Sequence, residues 1–214
     1  MTWQAANGWW MDKRVVEEAV AALRAGEPVV LPTDTVYGLV AYPYRAEPAA
    51  RLYELKGRDQ EQPIALVAAE LDMLLECIPE LRGRAATYAR ALLPGPFTLV
   101  LPNPGRRFRW LTGSRPETIG VRVPEVGGVT RAVLDQLGAV AATSANLSGA
   151  RDAGTLDAVP AEIREACGAV IDGGRLPGTP STVLDLTGDE PRVVREGAMP
   201  SAAAISRLAE LAVS

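Results

Sequence analysis

Short apolar runs, each closed off by proline, glycine or a charged residue, recur along the whole chain with helix-spaced segments between them. Runs this short bury as strands and are too brief for stable helices. They fall at Pro28 to Pro32, Pro63 to Val67, Phe97 to Leu101, Thr118 to Val123, Ala139 to Ala142, Ala169 to Asp172, Thr182 to Leu186 and Arg192 to Arg195. Between them, Asp12 precedes Val15, Val16, Ala19, Val20 and Leu23 at helical spacing, and Gly26 supplies a stop. Further helices fit Pro48 to Lys56, Leu71 to Leu92 with a break at Pro79, Val129 to Leu137 and Asp157 to Ala166. Ser201 to Val213 sets Ala204, Ile205, Leu208 and Leu211 on one face, as a docking helix would. Strands alternating with helices predict an α/β layer fold, and the close pair around Gly188-Asp189 predicts a hairpin and so a mixed sheet. No repeat or linker divides the 214 residues, so one domain is expected over 1–214, ending in a helix at about 200–213.

Composition restricts the chemistry. There is no histidine, which excludes a Ser-His-Asp triad, a histidine-ligated zinc and an imidazole acid or base. Cys77 and Cys167 form no CxxC pair and no metal-ligand cluster, so buried free thiols are expected. Of the 22 basic residues only Lys13 and Lys56 are lysine, and an ammonium differs chemically from the guanidinium that fills every other basic position. The net charge of −4 argues against nonspecific binding of polyanions but leaves room for a local cationic patch. No segment approaches the ~18 consecutive apolar residues of a membrane span, and the N-terminus lacks a signal-peptide pattern, so a cytoplasmic protein is expected.

Neither GxxxxGK[ST] nor GxGxxG occurs, so nucleotide binding would need another device. Polar clusters do follow or interrupt the apolar runs, where open α/β sheets bind ligands. Pro32-Thr33-Asp34-Thr35-Val36-Tyr37-Gly38-Leu39 reads locally as a turn, and Leu55-Lys56-Gly57-Arg58 as a helix end with cations on its dipole. In Thr118 to Pro124, Ile119, Val121 and Val123 share one strand face and Gly120 and Arg122 the other; a ligand or a salt bridge would suit that arginine equally. Ala142 to Gly149 ends a strand in Thr143-Ser144-Ala145-Asn146, where Ser144, lacking a histidine partner, suits hydrogen bonding better than nucleophilic attack. Arg106-Arg107-Phe108-Arg109-Trp110 mixes cations with aromatics, as nucleic-acid contacts do, although a solvated loop is the simpler reading. Gly105 and Gly113 bracket that stretch as hinges would, so a lid over 105–113 is a further expectation.

Taken in order, PTDTVYGL from Pro32, KGR from Lys56, PGPFTLVL from Pro94, TIGVRVP from Thr118, SANLSG from Ser144, PSTVLDL from Pro180 and VVREG from Val193 resemble the YrdC/Sua5 family of threonylcarbamoyl-AMP synthases. The resemblance implies a twisted, open mixed sheet flanked by helices, with a concave cationic face, in the short form without an added C-terminal domain. It implies a nucleotidyltransferase that joins L-threonine, bicarbonate or CO2 and ATP into threonylcarbamoyl-AMP and pyrophosphate, for threonylcarbamoyladenosine modification of tRNA. Mg2+ would accompany ATP, and a tRNA threonylcarbamoyltransferase would take the product.

By the same resemblance the catalytic residues fall on Lys56, Arg58, Ser144 and Asn146. ATP contacts fall on Arg58, Gln62, Thr118, Asn146, Thr155 and Arg195, and threonine contacts on Thr35, Arg122, Ser144 and Ser181. Lys56 is expected to act in adenylate formation and to be dispensable for folding. The chain departs from the family pattern at Asp59, Gln62 and Leu93, and at Val67, where some members carry a histidine near threonine. Three alternatives stand beside this reading: a YciO-type paralogue with another substrate, a factor for RNA binding or ribosome assembly that contacts tRNA or double-stranded RNA directly, and, last, the carbamoyl-transfer domain of hydrogenase maturation.

Overall fold

The computed structural model describes residues 4–212, and side chains from 13 to 211. Helix α1 (Gln4–Ala25) ends as its sequence requires. Gly26 takes a φ of +88°, its N–H reaches the Leu23 carbonyl and the Glu27 N–H the Ala22 carbonyl, which is the Schellman pattern. The start differs from expectation: α1 begins before Asp12, so Asp12 lies inside the helix and does not cap it, because Gln4-Ala5-Ala6 continue the helix toward the N-terminus.

Nine strands form one mixed sheet in the order β7-β1-β2-β6-β3-β5-β4-β8-β9. They are β1 (Val29–Pro32), β2 (Tyr37–Ala41), β3 (Ala65–Ala68), β4 (Phe97–Pro102), β5 (Thr118–Arg122), β6 (Ala139–Ser144), β7 (Ala169–Val170), β8 (Thr182–Asp185) and β9 (Arg192–Arg195). The helices after α1 are α2 (Ala46–Lys56), α3 (Leu71–Cys77), α4 (Gly83–Leu92), α5 (Gly128–Leu137), α6 (Ala161–Glu165) and α7 (Ser201–Ala212). The break between α3 and α4 falls at Pro79 as expected, the β8–β9 hairpin is antiparallel, and Val213 lies outside the described residues.

Three elements depart from the sequence reading. Strand β2 was not expected; Tyr37–Ala41 is buried throughout and so shows no alternation to mark it. The helix expected over Asp157 to Ala166 is a 3-10 turn at Leu156–Ala158 followed by the five-residue α6, because Val159 precedes Pro160 and is held extended at φ −72°, ψ 126°. Strand β7 stops at Val170 because Asp172 turns away to accept hydrogen bonds from the Tyr37 hydroxyl and the Gly174 N–H.

The two faces of the sheet are covered unequally. On one, Leu39, Leu66, Leu99, Ile119, Val121 and Leu184 pack under α2, α3, α4, α6 and α7 in one continuous core. On the other, a smaller core joins Val29, Leu31, Val40, Val67 and Val140 to α1 and α5, which lie over the β7-β1-β2-β6 end. Beyond α5 that face has no helix over it among the described residues: Thr98, Val100 and Val183 are only half-buried there, while Phe97, Leu99 and Leu101 on the reverse side of β4 are fully packed. No helix among the described residues is long and apolar enough to cross a membrane.

Asp185 fastens the edge hairpin. Its carboxylate accepts hydrogen bonds from the Thr187 N–H (3.0 Å) and hydroxyl (2.6 Å), Arg192 (2.8 Å) and Arg115 (3.4 Å). Burial pushes its pKa up, but those donors outweigh burial and hold it at about 2. A carboxyl whose folded pKa is depressed stabilises the fold above its unfolded pKa and loses that contribution as pH falls through the folded value. Asp185→Asn is therefore expected to remove roughly 2 kcal/mol of stability at neutral pH and to flatten the loss between about pH 4 and 2, read from urea midpoints across that range. An unchanged acid limb would show that Asp185 does not carry it.

Candidate active site

The KGR segment is a helix terminus that sends two cations in different directions. Gly57, at φ 58° and ψ 37°, closes α2 in a second Schellman turn: its N–H meets the Glu54 carbonyl and the Arg58 N–H the Tyr53 carbonyl. Lys56, the last helical residue, points inward and is 2 % exposed. Its ammonium donates to the Ser144 carbonyl (2.5 Å), the Asn146 carbonyl (2.6 Å) and Asn146 Oδ1 (2.8 Å), so all three protons are used within the protein. The Lys56 carbonyl accepts from the Ser148 N–H, and Asn146 Oδ1 also accepts from the Ser144 hydroxyl at 2.6 Å. Burial, and then Arg58, lower the Lys56 pKa to about 8.

Arg58, past the turn, enters a cavity of about 530 Å³ on the open sheet face beside α5, a volume suited to a small-molecule ligand. Strand register lays out its floor in rows. One row runs Arg195 (β9), Val183 (β8), Thr98 (β4), Arg122 (β5), Val67 (β3) and Val140 (β6). The next runs Val100, Gly120, Ala65, Ala142 and Val40, short in the middle and branched at both ends. A third adds Ser144, Gly38 and Leu31.

Three guanidiniums face this floor: Arg58, Arg122 and Arg195. Burial lowers the pKa of Arg58 and of Arg122, and Arg195 lowers both further by like-charge repulsion. Arginine stays charged all the same, so the cavity holds repelling cations that an anionic ligand would relieve. Of the three, only Arg122 has a carboxylate partner among the described residues: its Nη2 bonds Asp34 Oδ1, and also donates to the Thr35 hydroxyl at 2.9 Å. The Nε–H groups of Arg58 and Arg122 are buried with no acceptor among the described residues. Arg195 donates to the Ser181 carbonyl at 2.8 Å, and the Ser181 and Thr98 hydroxyls are 2.8 Å apart.

The structure thus brings Arg58, Gln62, Thr35, Arg122, Ser144, Ser181 and Arg195 to one cavity, with Gln62 exposed at its mouth. Lys56 and Asn146 stand one layer behind the lining, where they shape the loop after β6. Thr118 lies on the cavity face of β5 but outside the lining, its hydroxyl donating to the Arg115 carbonyl. Thr155 begins the 3-10 turn and does not reach the cavity. Residues 105–113 are not at the cavity either, which overturns the lid expectation. Arg107 is clamped by Glu80 at 2.7 and 2.8 Å, the Trp110 indole donates to the Pro43 carbonyl, and Phe108 and Trp110 pack on the larger core across the sheet.

Sequence reasoning missed Thr98, Thr143 and the pairing of Asp34. Thr98 alternates with the core-facing Phe97 and Leu99, a period-two signal present in PFTLVL. Thr143 accepts from Arg58 at 3.4 Å and stands beside Ser144 at a strand end. Asp34 meets Arg122 from 88 positions away, and no local pattern announces that pair.

A family model described as Telomere recombination, for the Sua5, YciO and YrdC proteins, matches residues 21–197. The chain belongs to the Sua5/YciO/YrdC family. A Halorhodospira halophila relative named threonylcarbamoyl-AMP synthase is 40 % identical over 167 residues, 76 % of this chain and 84 % of that one. Pyrococcus abyssi Sua5 complexed with L-threonine superposes with a TM-score of 0.77 at 32 % identity, over 90 % of this chain; this chain spans 56 % of that protein. Escherichia coli YciO gives the same TM-score at 28 % identity, over 90 % of this chain and 93 % of its own. These structures share the mixed sheet flanked by helices described above.

Within this family fold the Lys56 ammonium is a structural tie as placed. Lys56→Ala would leave the buried Asn146 carbonyl without a donor among the described residues and take one of two donors from the Ser144 carbonyl and from Asn146 Oδ1, at a cost of about 3 kcal/mol, and lower Tm by roughly 6–12 °C for a chain of this size. That outcome, measured by calorimetry, opposes the expectation of an intact fold; a Tm within a degree of the parent would restore it.

Proposed function

We propose that this chain is an L-threonylcarbamoyladenylate synthase. The observation that carries the reading is the convergence of Arg58, Arg122 and Arg195, with hydroxyls from Thr35, Thr98, Ser144 and Ser181, on one cavity with a floor of short side chains. Support comes from the relatives that bear the synthase name and from the Sua5 structure that holds L-threonine.

In this reading the threonine amine attacks the carbon of CO2 released from bicarbonate and loses a proton. The carbamate oxygen attacks the α-phosphorus of ATP, its bond to the bridging oxygen breaks, and pyrophosphate leaves. Transfer at phosphorus relies chiefly on alignment and on neutralising negative charge. Arg58 and Arg195 would meet the phosphates, and Arg122 would take the amino-acid carboxylate on its fork. Lys56 and Asn146 would act by holding Ser144 in place. The reaction needs no histidine. Among the described residues no cluster of three or more carboxylate, cysteine or histidine side chains could hold a metal ion, so Mg2+ would enter with ATP, held mainly by phosphates and water. The product, a mixed anhydride, would pass to a threonylcarbamoyltransferase acting on tRNA in the cytoplasm.

Purified protein with ATP, Mg2+, bicarbonate and L-threonine is expected to release pyrophosphate and form threonylcarbamoyl-AMP, seen by mass spectrometry, only when all four are present. Folded protein that binds ATP yet makes no adduct would place the chain with a YciO-type paralogue. The floor gives a second test. A Cβ on Gly120 would meet Ala65 and Thr98 no closer than 3.8 Å, so the backbone admits a side chain there. Gly120→Val should fold normally, raise two methyls into the cavity and weaken ATP binding about tenfold or more in calorimetry. Unaltered affinity would move the nucleotide off this floor.

A further inference from the structure

We infer that Glu196 is a positioning residue for the nucleotide: with Ser201, the first residue of α7, it holds the bulged end of β9 in the register that turns Arg195 into the cavity. The inference rests on the synthase reading and deepens it. Arg195 reaches the cavity only because β9 carries one residue more than β8 can pair. Asp185 pairs with Arg192 and Leu184 with Val193, but Val183 pairs with Arg195, so Val194 has no partner on β8 and stands 59 % exposed beside the cavity. Such a bulge moves the side chains after it to the opposite face of the sheet. In straight register Val194 would oppose Val183, and Arg195 would oppose Thr182, the partner of Phe97 on the core face. The bulge sets the guanidinium beside Val183 on the cavity face instead, where Nη2 donates to the Ser181 carbonyl at 2.8 Å and to the Ser181 hydroxyl at 3.3 Å.

A four-residue edge strand, exposed along its whole length, has few ladder bonds with which to keep that register. The rest of the hold comes from the C-terminal side. The Ala198 N–H donates to the Pro180 carbonyl at 2.8 Å, and a Cβ on Gly197 would come within 2.3 Å of the same oxygen, so residues 195–198 lie directly on 180–182. Glu196 then ties this segment to α7. One carboxylate oxygen accepts from the Ser201 N–H at 3.2 Å, a donor that the helix cannot satisfy itself, and the other accepts from the Ser201 hydroxyl. Ser201 is buried, and Ala204 and Leu208 anchor α7 in the larger core beside α4. No described residue of α7 lines the cavity; the helix acts on the phosphates through Glu196 and then Arg195.

The test titrates ATP with Mg2+ and, separately, L-threonine into the parent, Glu196→Ala, Glu196→Gln, Ser201→Ala, Arg195→Ala and the double variant Glu196→Ala/Arg195→Ala by calorimetry. Glu196→Ala is expected to weaken ATP binding about tenfold and to leave threonine within about twofold, because Asp34 and Thr35 hold Arg122 independently of β9. Glu196→Gln keeps an acceptor for Ser201 and restores most of the loss. Ser201→Ala keeps the bond from Glu196 to the backbone N–H, so it shows the same selective loss in milder form and decides the question should Glu196→Ala not fold. Once Arg195 is alanine, adding Glu196→Ala is expected to cost ATP nothing further, since the side chain it positions is gone. Additive losses in the double variant, equal losses for ATP and threonine, or unchanged ATP affinity in folded Glu196→Ala or Ser201→Ala would each overturn the proposal. The expected binding pattern without any threonylcarbamoyl-AMP from the parent would count against the synthase reading and leave the positioning role standing.

Discussion

An ammonium buried at the end of α2 joins the parts of this site that come from distant stretches of sequence. Its three hydrogen bonds fix the end of β6 and the loop after it to the C-terminus of α2. A buried cation is costly unless every proton finds an acceptor, and here two carbonyls and an amide oxygen provide them. Arginine would not replace it: the guanidinium is planar, whereas these oxygens surround a compact, roughly tetrahedral donor. In a chain whose other described basic residues are nearly all arginine, that geometry accounts for a lysine at this position.

The cavity follows from unequal covering of one sheet. A strand presents alternate residues to opposite faces, so β4 and β5 can complete the larger core with Leu99, Ile119 and Val121 while offering Thr98, Gly120 and Arg122 to the other side. With α1 and α5 confined to the β7-β1-β2-β6 end, those residues face a recess in place of a helix. Short side chains in the central row set its depth, and arginines on β5 and β9 and after α2 set its charge. The same alternation that builds the core therefore builds the site.

That logic also marks what the sequence could disclose. Alternation in TIGVRV placed Arg122 opposite the core correctly, and Gly57 after Lys56 marked a helix end, because both signals are local. The strand at Tyr37–Ala41 escaped because a strand buried on both faces has no alternation, and the helix after Thr155 was overdrawn because the residue before Pro160 cannot remain helical. The roles within KGR and SAN were not legible at all. Whether Lys56 faces a ligand or a carbonyl depends on where β6 ends relative to α2, which only the assembled sheet decides. The motif resemblance named many of the residues that gather here, but also Thr118 and Thr155 outside the lining, and could not separate those that line the cavity from those that support its wall.

Electrostatics gives the arrangement its direction. Arg58 and Arg122 are both disfavoured as cations by burial and by Arg195, and each leaves an Nε–H without an acceptor among the described residues. A ligand that brings negative charge relieves the repulsion and supplies acceptors at once, so part of its binding free energy comes from strain already present in the free protein. Asp34 limits that repulsion at Arg122 alone, which keeps the part of the cavity at Arg122 nearer neutrality than the parts at Arg58 and Arg195. In the synthase reading a zwitterion would suit Arg122, and a polyphosphate the guanidiniums without a carboxylate partner, Arg195 on β9 and Arg58 after α2.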